Sequence, residues 1–414
     1  MDERAGYESL LPRMLIGEEL RKKLLRVPEY NEKVSGLDAG SRLLKLTEIY
    51  SVFIPSEMAV EIYHRLYMMT SISLKQKNGR DSIKRLNRNY IHPMAGEFCG
   101  VIPGVSSVSI IGDSGIGKTT CIQKAVELIG PVLVTEVPYR KIVPVVMVTC
   151  PFDSNYKGLL CQILIALDEA LDTNYYEKSQ KSTMNAQQIL GMVCQLCHLH
   201  VGILIIDEIQ FLVEHKSGKQ LYRMILQLIN SSGIGVVLVG TNECMDYFSQ
   251  TPQMARRASG LQYTNLDYND EFHRLAEVLF SYQYTKNKTE LTEPLLSLLY
   301  EYSGGNAANL MELIHDAQEH AILTGVERLD MDVLNVIYAK RMRMLHGYIE
   351  PGRKKLSRTS GRNDRNKNME KLPEQNVGSE YCARSIADIL KGIKRADAAR
   401  ELAKYIRVEE VQIL

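Results

Sequence analysis

Residues 112–119 read Gly112-Asp113-Ser114-Gly115-Ile116-Gly117-Lys118-Thr119, a complete G-x-x-x-x-G-K-[ST] pattern. An apolar run at 107–111 precedes it, and a helical stretch at 119–128 follows. Strand, loop and helix in that order are what the pattern needs to work. Glycines let successive backbone N–H groups turn inward, and the helix N-terminus adds positive potential, so the loop suits phosphate groups. Lys118 is placed to reach the β- and γ-phosphates, and the Thr119 hydroxyl to bind Mg2+. The expected cradle runs from Gly112 through Thr120, with ATP and Mg2+ as cofactors.

Two more apolar runs end in polar side chains. At 203–206, Ile-Leu-Ile-Ile leads into Asp207 and Glu208. Such a run is a buried central strand, and in a parallel sheet its C-terminal end lies beside the phosphate loop. Asp207 would hold Mg2+, and Glu208 would orient and polarise the attacking water. At 236–240, Val-Val-Leu-Val-Gly leads into Thr241 and Asn242. Asn242, with Thr241 as its competitor, would position that water.

From about 96 to 268, short apolar runs alternate with helical stretches, the signature of a parallel sheet covered by helices. Further runs lie at 145–149 and, more weakly, near 261–266. From 269 to 348 helices take over, at 271–282, 293–302, 307–323 and 331–342. Residues 1–95 read as helical and polar, with Met58, Ile62, Leu66 and Met69 at helical spacing after Pro55. They form either a layer on the main domain or an arm that docks a partner. Residues 349–379 are polar, basic and poor in apolar side chains, as a disordered linker is. In 380–414, Ile386, Ile389, Leu390 and Ile393 give a helix too narrow a stripe to build a core alone.

A formal net charge of +1 means that any basic surface is local. The first 30 residues hold no apolar run long enough for a secretory signal or a membrane span. The eight cysteines are scattered, which suits reduced thiols and a cytoplasmic chain with no membrane partner. Cys194-Gln-Leu-Cys197-His198 matches a haem-attachment pattern or half a zinc site. No second CxxC exists, and 187–199 reads as an amphipathic helix, so both thiols are read as structural.

A sheet domain followed by a small helical lid is the layout expected of an AAA+ P-loop NTPase. That α/β fold has a parallel sheet, in the order 5-1-4-3-2, flanked by helices. The motifs GDSGIGKTT (112–120), LIIDEIQFL (204–212), VGTNE (239–243) and QMARRASG (253–260) carry a closer likeness. With IPSEMAVEIYHRL (54–66) upstream, they resemble the TnsC/TniB transposition regulators over roughly residues 40–345.

The resemblance implies that Asn242 holds the sensor-1 place. It also implies that Arg256 or Arg257 is an arginine finger that reaches a neighbouring subunit. Such proteins form ATP-dependent rings or helical filaments, homo-oligomers around double-stranded DNA. They take target information from a TniQ/TnsD-type protein and recruit the transposase, which stimulates hydrolysis and disassembly. Lys157, Lys178, Lys181 and Thr183 are the candidates for DNA backbone contact, which is sequence-neutral and salt-sensitive.

One departure stands out. The lid turn at 304–309 reads Gly-Gly-Asn-Ala-Ala-Asn, without the arginine AAA+ lids often carry there. Slow intrinsic hydrolysis would accompany it. Two other readings share the motifs. An origin-recognition or helicase-loader ATPase would usually add a winged helix after the lid. A nucleotide-gated signalling switch would not touch DNA.

Overall fold

The computed structural model describes residues 6–77, 107–136, 139–153, 155–181, 184–211, 218–249, 259–347 and 349. The expected linker at 349–379, apart from Ile349, and the expected tail at 380–414 lie outside the described residues. The strands are β1 (Val108–Gly112), β2 (Leu133–Glu136), β3 (Tyr139–Thr149), β4 (Val201–Asp207), β5 (Gly235–Gly240) and β6 (Leu261–Tyr263). They make one sheet in the order β2-β3-β4-β5-β1-β6. All neighbours pair in parallel except β2, which joins β3 in antiparallel fashion at the edge. Without β2, and with the five remaining strands renumbered 1 to 5 in chain order, the order is 5-1-4-3-2. This is the AAA+ arrangement, a mostly parallel sheet flanked by helices.

β4 and β5 are buried along their whole length. Strand alternation sends Leu204, Ile206, Val236 and Leu238 to one face. There they pack with α5 (Tyr156–Leu171), α7 (Ala186–His200) and α8 (Gly218–Ser232). Ile203, Ile205, Val237 and Val239 go to the other face, against α1 (Gly17–Leu24), α3 (Glu57–Lys77) and α4 (Lys118–Ile129). Burial on both faces is why these strands are unbroken apolar runs.

The short α9 (Cys244–Phe248) follows β5, and after β6 come α10 (Asp270–Ser281), α11 (Glu293–Ser303), α12 (Ala307–Thr324) and α13 (Met331–Lys340). Asn269, Asn306 and Asp330 cap α10, α12 and α13 through their side chains, and Pro294 opens α11. These helices share a core with Leu46 of α2 (Ala39–Leu46) and with Ile49 and Val52. The N-terminal residues thus feed two cores. α3 is also tied to the sheet by polar contacts. Ser73 Oγ donates to Gly202 O at 2.5 Å. Lys77 Nζ donates to Cys197 O (3.1 Å) and His198 O (2.6 Å), satisfying carbonyls at the end of α7. Cys194 and Cys197 are buried in α7, and burial pushes the Cys197 thiol up to about 12. Among the described residues no helix is long and apolar enough to cross a membrane.

A buried ion pair joins α2 to the segment after α12. Arg42 Nη1 and Nη2 donate to Glu327 Oε2 and Oε1 at 2.7 and 2.6 Å, and Nη1 also donates to Tyr284 O at 3.0 Å. The Arg42 side chain is 1% exposed. Removing its partner strands a buried charge, so Glu327→Ala should cost about 3–5 kcal/mol in urea unfolding. The Arg42 hydrogen bonds hold the Glu327 carboxyl below its usual range. A depressed carboxylate stabilises fully above the unfolded value, about 4.3, and less as pH falls through the folded one. The gap in urea midpoint between parent and variant should therefore be full at neutral pH and shrink in acid. A gap independent of pH would contradict this.

Candidate nucleotide site

The sheet register gathers the motif residues at one edge. Thr149 pairs with Asp207, Ile111 with Gly240, and Gly112 with Tyr263, so these parallel strands end together. β1 lies between β5 and β6, while the chain leaving it crosses to β3 on the far side of β4. That reversal opens a crevice at the C-terminal end of β1, where open α/β sheets take their ligands.

The loop at that end is built from backbone. Gly115 and Gly117 have φ of +79° and +93°. Both values lie where an L side chain is strained, which is why glycine is required. α4 starts on Gly117 with no side-chain cap. By contrast α2, α5, α7, α10, α12 and α13 all start on Asn or Asp caps. The first amides of α4 thus have neither an intrahelical partner nor a side-chain cap, as an anion cradle demands.

Lys118, 9% exposed, donates from Nζ to Gly112 O at 2.9 Å and to Asp113 O at 2.8 Å. Burial lowers its pKa, and the charges of Asp207, Glu208 and Asp113 oppose that shift. Thr119 Oγ1 donates to Asp207 Oδ2 at 2.7 Å, and Glu208 N donates to Asp207 Oδ1 at 2.8 Å. A hydroxyl and a carboxylate side by side are the hard oxygen donors that Mg2+ prefers. The donor set fits a triphosphate with its metal.

Glu208 departs from the strand with φ +58°, a strained value for a residue with a side chain. Ile209 N donates to Val239 O at 2.9 Å, which fixes the turn against β5. Gln210 Nε2 donates to Glu208 Oε2 and so orients the carboxylate. Of the two candidates after β5, Asn242 reaches the loop: its Nδ2 donates to Asp113 Oδ1 at 2.7 Å. Thr241 Oγ1 donates instead to Glu243 Oε2.

Arg256, Arg257 and Thr183 lie outside the described residues. Lys157 is exposed in the first turn of α5. Lys178, also exposed, sits in α6 (Tyr175–Lys181), 5.1 Å from the centre of the Tyr175 ring. Lys181 ends α6. Asp168 caps the turn into α6 by accepting from Tyr175 N and Tyr176 N at 2.8 and 2.7 Å. α6 then folds back, so that Gln180 Nε2 meets Cys161 Sγ at 3.5 Å. The fold brings the 178–181 segment towards the Lys157 end of α5.

Residues 100–266 match the family model described as bacterial TniB protein. Over that stretch the sequence is similar to the TniB family. The matched segment holds the loop, Asp207, Glu208 and Asn242. No curated protein matches the sequence. Among solved structures, the chain is similar to the Aeropyrum pernix ORC2 protein in its ADPNP–ADP complexes. That match has 18% identity and a TM-score of 0.39, over 63% of this chain and 67% of that one. It is also similar to the A. pernix ORC1 protein in complex with DNA, at 16% identity and TM-score 0.40, over 62% and 63%. A third is the Thermotoga maritima RuvB Holliday junction branch migration motor, at 15% and 0.34, over 65% and 70%. The chain spans less than two-thirds of the ORC1 chain. Strand order and register themselves define the fold here.

Sequence reasoning missed three polar residues that bear on this site. Gln210 touches Glu208, and Asn265 N donates to Asp113 Oδ2 at 3.4 Å. Asn306 Nδ2 donates to Ser114 O at 2.7 Å. Asn306 had one signal in the sequence: Asn after Gly-Gly, directly before an apolar-periodic stretch, is a helix cap.

Proposed function

We propose that this chain is an ATP-dependent, DNA-binding AAA+ regulator of transposition. It assembles with its own copies on double-stranded DNA, links a target-selection protein to the transposase, and hydrolyses ATP to disassemble. The observation that carries the reading is the joint one. A loop and acidic pair with triphosphate chemistry lie inside the segment that matches the TniB family model.

The roles follow from the contacts. The first amides of α4 would bind the phosphates, and Lys118 would exchange its loop carbonyls for β- and γ-phosphate oxygens. Thr119 and Asp207 would hold Mg2+, which supplies charge neutralisation on the phosphates. Glu208 would take the proton side of the attacking water, held in aim by Gln210. Asn242 would position that water, and Arg256 or Arg257 would act on a neighbouring subunit's nucleotide. Lys157, Lys178, Lys181 and Thr183 would touch DNA phosphates, and hydrolysis would be slow until a partner stimulates it. A cytoplasmic location belongs with this reading.

Gel shift on a plain duplex, with and without a non-hydrolysable ATP analogue, tests the proposal. Binding should require the nucleotide, show little sequence preference, and weaken as salt rises, because phosphate contacts release counterions. Strong preference for one sequence would favour an origin-type ATPase instead. No DNA binding at all would favour the signalling switch. Binding unaffected by nucleotide or by salt would contradict the proposal.

A further inference from the structure

The lid turn at 304–309, which lacks an arginine, is folded directly onto the phosphate loop. Asn306 is 5% exposed, and its Nδ2 donates to Ser114 O at 2.7 Å and to Asn265 Oδ1 at 2.9 Å. Its Oδ1 accepts from Ala308 N at 3.1 Å and Asn309 N at 3.3 Å, capping α12. Ala308 N also donates to Gly115 O at 3.1 Å. Two consecutive loop carbonyls thus accept from the start of one lid helix.

The contacts continue past the lid. Asn265 N and Asn242 Nδ2 donate to the two oxygens of Asp113, at 3.4 and 2.7 Å. A single polar chain therefore runs from the end of β5, through Asp113, to the segment after β6 and on to α12. The packing is close as well: a Cβ on Gly115 would meet Asn306 Oδ1 at 2.7 Å.

We infer that Asn306 is a positioning residue through which the lid follows the conformation of the phosphate loop. The lid reads loop carbonyls, not phosphate charge. This rests on the triphosphate reading of the loop. A planar amide is needed because one side chain must accept from the helix start and donate to the loop at once. Aspartate supplies the first function equally well, but it turns a carboxylate oxygen towards Ser114 O. Asn306→Asp therefore separates capping from coupling.

The test is amide hydrogen exchange on the full chain, with and without MgADP. In the nucleotide-free protein, Asn306→Asp should speed exchange of the loop amides at 112–118 by about threefold to tenfold, the weight of one hydrogen bond. In the parent, MgADP should slow exchange in the loop and also in the 304–309 turn. In the variant the slowing should stop at the loop. Asn265→Ala, which leaves the cap of α12 untouched, should also weaken the transmission. A residue that only caps α12 would tolerate aspartate, so parent-like exchange in both arms overturns the inference. A parent whose loop ignores MgADP overturns the nucleotide reading instead, and the nucleotide-free arm still decides whether Asn306 holds the loop.

Discussion

Replacing Glu208 by Gln should lower ATP hydrolysis by about a hundredfold to ten-thousandfold, the range that a positioned general base contributes. Nucleotide affinity should stay within about threefold of the parent, because the amide keeps the size of the side chain and loses only its basicity. The geometry points to Glu208 and not to Asp207 as the base. Both Asp207 oxygens accept hydrogen bonds, from Thr119 Oγ1 and from Glu208 N, and its side chain is buried. Glu208 is less buried, leaves the strand at φ +58°, and has its carboxylate oriented by Gln210. Strain of this kind persists only where surrounding structure imposes it. Here the Ile209–Val239 backbone bond does so. Single-turnover phosphate release would measure the rate, and fluorescent-nucleotide titration the affinity. Hydrolysis within about threefold of the parent would remove Glu208 from the mechanism.

How far the fold was legible depended on whether burial left a mark on the sequence. β4 and β5 are buried on both faces, so each is an unbroken apolar run and was readable at once. β2 was not. It alternates half-buried and exposed positions, pairs only at the edge, and includes Thr135 and Glu136. β3 was read from Val145, yet it begins at Tyr139. Pro144 lies between those two positions and breaks the apolar pattern, since proline argues against a strand interior. It is tolerated because β2 pairs only as far as Ile142, leaving no antiparallel partner beside Pro144.

The site divides in the same way. The loop and the acidic pair announce themselves, because the chemistry needs those residues at fixed local spacing. Contacts across long sequence separation leave no such trace. Asn306 meets Ser114 across 192 residues, and Asn265 meets Asp113 across 152. In the sequence the turn at 304–309 stands out for the arginine it lacks, while its contribution is an amide that the spacing does not reveal.

Lys118 offers the second large effect. Its side chain is buried, and among the described residues loop carbonyls and nearby carboxylates compensate its charge. Truncation to alanine should leave the chain folded, because Lys118 is the first residue of α4 and alanine is the strongest helix former. What it should remove is a charge-assisted hydrogen bond to phosphate, worth about 1.5–3 kcal/mol, or roughly tenfold to 150-fold in affinity.

Calorimetric titration of the full-length chain and of Lys118→Ala with a non-hydrolysable ATP analogue in magnesium tests this at its root. The parent should bind one nucleotide per chain, and the variant should bind at least about tenfold more weakly with its melting transition intact. A folded parent that takes up no nucleotide, or a variant that binds as tightly as the parent, would contradict the assignment of this loop to a triphosphate.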